Sequence, residues 1–173
     1  MSTATVTPEQ QAFRGAMAHL SAAVNVVTTD GPGGRAGITV SAVCSVTDSP
    51  PTVLVCVNQS SYTHDIFRRN GRICVNVLGA EHEELAMHFA GATKIPMEER
   101  FGWQIWDHDT AEVPILRDAL VALVGRITGH TVRGSHSVLF VAVERTVVRD
   151  DTAGLVYFQR QFHRLGGPTA TTA

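Results

Sequence analysis

Ala23-Val24-Asn25-Val26-Val27-Thr28-Thr29 running into Asp30-Gly31-Pro32-Gly33-Gly34 is the stretch that decides the fold. β-Branched side chains are stiff at χ1 and pack well on a pleated surface, so its first half reads as a strand. Its second half is turn chemistry, since glycine admits backbone angles closed to other residues and proline fixes its own φ. Together they predict a β-hairpin whose return strand spans Arg35 to Val46. Thr47-Asp48-Ser49-Pro50-Pro51 stops that strand, because proline has no N–H to give to a ladder, and Val53-Leu54-Val55-Cys56-Val57 resumes a buried one.

Upstream, Thr7 before Pro8, with Gln10 as capping-box partner, predicts a helix start, and Phe13, Ala16, Met17 and Leu20 give it one apolar face. Downstream, Asn58-Gln59-Ser60-Ser61 leads into a helix over Tyr62 to Arg69, closed by Asn70-Gly71. Ile73 to Leu78 is another buried strand. Glu81, Glu83 and Glu84 suit the first turn of a helix from Ala80 to near Ala90, which Gly91 ends. Ala92 to Pro114, with both tryptophans, reads as a surface excursion. Leu120 to Val132 and Val138 to Val148 are long strands joined by Arg133-Gly134-Ser135-His136, and Leu155 to Phe158 is a last strand after the turn at Asp150 to Gly154. One domain over residues 8–165 is expected, with a disordered tail at 166–173. Many strands and few, short helices predict a mainly β fold, a closed or nearly closed antiparallel barrel.

A length of 173 residues allows a real core within one domain. Apolar residues at 44% and charged residues at 17% belong to a folded protein, not a disordered one. The 14 Lys and Arg are scattered among 16 Asp and Glu, so no basic stripe exists to displace counterions and nucleic acid is excluded as a partner. Cys44, Cys56 and Cys74 lie in apolar stretches without CxxC spacing and read as buried reduced thiols. The N-terminus has neither a basic region nor a long apolar one, and no apolar run is long enough to span a bilayer, so a cytoplasmic protein without membrane contact is expected.

Neither a GxGxxG fingerprint nor a P-loop is present, the histidines have no metal-ligand spacing and read mostly as solvated, and no GxSxG elbow occurs. What remains is polar residues at strand ends. Thr39, Ser41 and Ser45 fall at even spacing along the expected strand and share one face, which is either a ligand-facing surface or an ordinary solvated one. Asn58, Ser60 and Ser61 stand at a strand-to-helix junction that suits a phosphate and equally suits a plain N-cap. His136 sits in a glycine-preceded turn, where its imidazole either serves a ligand or is only a turn residue.

Phe13-Arg14-Gly15-Ala16-Met17, Ala22-Ala23-Val24-Asn25, the run from Gly37 to Pro51, Cys74-Val75-Asn76-Val77-Leu78, His88-Phe89-Ala90-Gly91, Met97-Glu98-Glu99-Arg100-Phe101, Gly134-Ser135-His136 and Gly154-Leu155-Val156-Tyr157-Phe158 together resemble the short-chain flavin reductase family. The likeness extends in order from near residue 13 to near residue 164 and is specifically to reductase components of the 4-hydroxyphenylacetate 3-monooxygenase type and their relatives. The resemblance implies a split β-barrel homodimer that binds FMN or FAD loosely, accepts hydride from NADH rather than NADPH, and releases reduced flavin to a separate oxygenase. It implies that Thr39, Val40, Ser41, Ala42, Ser45 and Val46 line the flavin ring and ribityl chain, that Asn58, Ser60 and Ser61 hold the phosphate, and that His136 serves the nicotinamide. Phe89, Arg100, Tyr157 and Arg160 close the site on the same reading. The family motif is Gly-Asp-His, and Ser135 stands here in place of the aspartate. Related reductases that serve pyrimidine degradation, phenol oxidation or antibiotic synthesis are alternatives, as is a flavin-binding protein without activity.

Overall fold

The computed structural model describes residues 6–108, 113–150 and 152–167. Parts of the surface excursion, of the turn before Gly154 and of the expected tail therefore lie outside the described residues. The strands are β1 (Ala22–Ala23), β2 (Asn25–Thr29), β3 (Ala36–Val40), β4 (Val43–Asp48), β5 (Pro51–Asn58), β6 (Arg72–Val77), β7 (Trp106–Asp107), β8 (Ile115–Leu116), β9 (Val121–Arg133), β10 (His136–Val148), β11 (Gly154–Phe158) and β12 (Gln161–Leu165). The helices are α1 (Pro8–Met17), α2 (Tyr62–Asn70), α3 (Glu83–Phe89) and α4 (Met97–Gly102), with a 3-10 turn at Ala80–His82 leading into α3.

The hairpin read from the sequence forms, with Asn25 opposite Val40 and Thr29 opposite Ala36. It is one edge of a 7-stranded sheet in the order β3-β2-β6-β9-β10-β5-β4. The two edge strands are neighbours in the chain. At Ser41-Ala42 the backbone leaves the side of β2 and joins β5, where the Cys56 N–H donates to the Ala42 carbonyl at 3.0 Å. Of the closed or nearly closed barrel expected, the curled sheet is the open form: its edge strands β3 and β4 meet at a seam bridged by the chain and not by backbone pairing. The expected single strand from Arg35 to Val46 is likewise broken at this crossing.

Strand alternation places Val53, Val55 and Val57 of β5 inside the curl, with Val27, Phe67, Ile73, Val75, Leu139 and Val141. Each such side chain contributes roughly 1.5–3 kcal/mol by leaving water. α2 caps this core with Ile66 and Phe67 and stops at Gly71, whose φ of 66° is the left-handed conformation that glycine adopts most cheaply. A second core lies outside β2, where Val26, Leu78, Leu85, Phe89, Phe101 and Trp106 pack together, so the segment expected to be a surface excursion is corrected: it buries Phe101 and Trp106.

α1 begins with the expected capping box between Thr7 and Gln10 but buries none of its residues. Phe13 and Met17 on it stay 63% and 44% exposed, and Leu20, expected on the same face, lies beyond the helix end and is 66% exposed. The thiols also differ from expectation. Cys74 is buried, Cys56 is partly so, and Cys44 is exposed because it lies on edge strand β4. Burial pushes the Cys74 thiol up to about 12. No helix among the described residues is long and apolar enough to cross a membrane.

Candidate functional site

A cavity of about 660 Å³ opens beside the seam, lined by Thr39, Val40 and Ser41 on one side and Tyr157, Arg160, Gln161 and Phe162 on another. α3 supplies Glu83, Met87 and Ala90, which recur at helical spacing on one face. The volume lies within the usual range of small-molecule sites, and apolar walls with a few polar groups are their usual composition. The Thr39 hydroxyl donates to the Ala86 carbonyl at 2.7 Å, tying β3 to α3 at the cavity wall. The Tyr157 and Phe162 rings pack edge to face at 5.2 Å and form its aromatic wall. Arg160 and Gln159 occupy the turn of the β11–β12 hairpin with φ of 61° and 50°, an unusual conformation for residues other than glycine.

β12 and its cavity residues Gln161 and Phe162 were not foreseen, because the Gln159-Arg160 turn carries neither glycine nor asparagine to announce a hairpin. Glu83, Met87 and Ala90 were foreseeable from their spacing once α3 was placed.

The other candidates stand across the Ser41-Ala42 crossing. Asn58 ends β5, and its ladder partner on β10 is His136, so both side chains begin from adjacent positions. The Asn58 Oδ1 accepts from the Ser60 N–H at 3.0 Å and from the Ser60 hydroxyl at 2.9 Å. The Ser61 hydroxyl lies 2.8 Å from that of Thr63 and caps α2. These groups thus satisfy one another in the absence of a ligand, while the first-turn amide of Tyr62 has no acceptor within the helix. His136 is exposed, and its Nδ1 lies 2.9 Å from the Ser135 hydroxyl. A serine therefore contacts this imidazole from the position where the family motif has a carboxylate.

Three groups of expectations are corrected by placement. Ser45 does not share a strand with Thr39 and Ser41, and it lies with Val46 farther along β4 at a bulge, where the register passes from Ser45 to Thr47. Val46 is the extra residue of that bulge and is 47% exposed. Phe89 is 3% exposed and packs against Phe101 and Trp106 in the second core. Arg100 is 8% exposed, donates from Nε to the Ile95 carbonyl at 2.9 Å, and holds its guanidinium 5.5 Å from the centre of the Phe89 ring. Neither of these two lines the cavity, because both are consumed in packing α4 onto α3.

An antiparallel sheet with an open seam thus carries a cavity beside β3 and, at the end of β5, an exposed histidine close to the start of α2. The chain belongs to the flavin reductase like domain family, whose model matches residues 17–166. It is 56% identical over 161 residues to the 4-hydroxyphenylacetate 3-monooxygenase reductase component of Pseudomonas aeruginosa, covering 93% of this chain and 95% of that one. It is 49% identical over 165 residues to the FMN reductase (NADH) RutF of Cronobacter turicensis, covering 95% and 98%. Among solved structures, the NADH:FAD oxidoreductase of Streptomyces globisporus in complex with NAD and FAD fragments superposes with a TM-score of 0.83 at 26% identity, covering 96% of this chain and 98% of that one.

Proposed function

We propose that this chain is an NADH-dependent flavin reductase that supplies free reduced FMN or FAD to the separate oxygenase of a two-component aromatic hydroxylase of the 4-hydroxyphenylacetate 3-monooxygenase type. The observation that carries the reading is the Ser41-Ala42 crossing, which sets an apolar, aromatic-walled cavity on one side and the Asn58–His136 pair on the other. Bound flavin supplies an electron-accepting ring to which a nicotinamide stacked against it passes hydride. The protein's task is then orientation and exclusion of water, with no nucleophile required. On this reading Thr39, Val40, Ser41 and Ala42 flank the ring, and Tyr157, Phe162 and Arg160 close its outer side. Asn58, Ser60 and Ser61 exchange their mutual hydrogen bonds for a phosphate at the α2 N-terminus. His136 donates to the nicotinamide amide, with its ring oriented by Ser135.

Hydroxyls and amides are weaker phosphate holders than a bidentate arginine, which suits a flavin that must leave. The chain works as a homodimer in the cytoplasm, the exposed stripe of α1 being the surface left for a second copy. NADH is the preferred donor on this reading, because Arg160 is the one basic side chain among the described residues that line the cavity and few others stand ready to greet a further phosphate. Loss of NADH absorbance on adding FMN or FAD is the direct test. An enzyme that binds flavin yet leaves NADH intact contradicts the reading. His136→Ala is expected to raise the KM for NADH about tenfold while flavin affinity holds, a shift on the scale of one lost ligand contact.

A further inference from the structure

The first turn of α2 carries a buried group that flavin reduction, as described, does not use. His64 is 6% exposed and Ser137 is 0% exposed. The His64 Nε2 lies 2.9 Å from the Ser137 Oγ, and its Nδ1 lies 3.1 Å from the Asp65 Oδ1. An ionised carboxylate only accepts hydrogen bonds, so a neutral ring carries its proton on Nδ1 and Nε2 accepts the Ser137 hydroxyl proton. Serine, histidine and aspartate in this order are the parts of a nucleophile triad. Here the serine is sealed from solvent, so no substrate reaches it, and the arrangement fastens α2 to β10 instead.

The fastening is placed next to the proposed nicotinamide contact. Ser137 follows His136, and alternation along a strand sends one side chain inward and the other outward. In the ladder His136 faces Asn58 and Ser137 faces Val57. The Gln59 N–H donates to the Ser135 carbonyl at 2.9 Å and its side-chain amide to the Gly134 carbonyl at 3.2 Å. Gln59 thus ties the β9–β10 turn to the loop preceding α2, and His64 ties the first buried residue after that turn to α2 itself.

We propose that His64 is a positioning residue: through Ser137 it fixes the start of β10 and thereby sets the His136 imidazole relative to the N-terminus of α2. The proposal rests on the reading above, in which these two turns receive the nicotinamide and the flavin phosphate. A displacement of about 1 Å in such a site costs up to about a hundredfold in rate. α2 keeps its seat through Ile66 and Phe67 without the imidazole, so the effect falls on His136 more than on the helix.

The test uses the full chain with and without flavin. In the flavin-free protein, the His136 imidazole NMR signals, assigned by their disappearance in His136→Ala, are expected to move in His64→Ala and in Ser137→Ala. They are expected to return in His64→Gln, whose amide reaches the place of Nε2 and accepts the same proton. With flavin added, His64→Ala is expected to raise the KM for NADH about fivefold with the flavin Kd within about twofold, and to be non-additive with His136→Ala, as coupled residues are. Unmoved His136 signals, or kinetic effects that simply add, overturn the positioning role. A parent protein that never oxidises NADH overturns the reductase reading, whereas the NMR shifts report on the His64–His136 link separately.

Discussion

His82 shows how one side chain couples this fold to pH. Its Nδ1 accepts the Gly79 N–H at 3.1 Å, which requires a bare lone pair. Burial holds its imidazole below the usual histidine range, against the opposing pull of Glu81 and Asp118. The unfolded chain, with a histidine pKa of about 6.5, therefore binds a proton that the folded protein resists. Stability contributed here is present above about pH 6.5 and is lost as pH falls through that value toward the lower folded pKa. His82→Asn, which keeps an acceptor near Nδ1 but does not titrate, is expected to flatten part of the acid limb of a urea-midpoint scan. An identical slope in parent and variant contradicts this. The same scale explains the misread aromatics and cations. Phe89 and Arg100 sit inside family motifs, and nothing in their immediate sequence tells a residue that faces a ligand from one that packs a core.

At the scale of elements, most of the fold was legible. The capping box at Thr7, the Asn70-Gly71 helix end and the proline stop at Pro50-Pro51 are local chemistry, and local chemistry is what a single sequence carries. The break at Ser41-Ala42 was not legible, since Val40 to Val46 keeps a strand-like composition through it, while the partner strand changes there from β2 to β5. Of the residues that line the cavity, Thr39, Val40, Ser41, Tyr157 and Arg160 were named from the sequence, while the β12 contribution was hidden by its atypical turn. Gly125 is a further element-level requirement. A β-carbon there would run into the Ala142 carbonyl, and would meet Val141 Cγ1 at 3.0 Å, between the bulges of the β9–β10 pair. Gly125→Ala is expected to cost about 1–3 kcal/mol, as overpacking does. Chemical denaturation measures it, and an unchanged midpoint contradicts the assigned strain.

For the molecule as a whole, Phe13 and Met17 of α1 and Leu20 just beyond it stay exposed among the described residues. Exposed apolar residues grouped in this way suit a contact surface, and on the proposed homodimer a second copy would cover them. Phe13→Asp combined with Leu20→Asp is expected to move the sedimentation coefficient from dimer to monomer at micromolar concentration. A parent that already sediments as a monomer contradicts the homodimer. The seam between β3 and β4 has a kinetic consequence of its own. A guest that slides in sideways breaks no rung of the sheet, so neither arrival nor departure waits for segmental unfolding. On the proposed function its residence would be set by contacts with side chains and with the first amides of α2, and the molecule would act as an open berth with no vault door to lift.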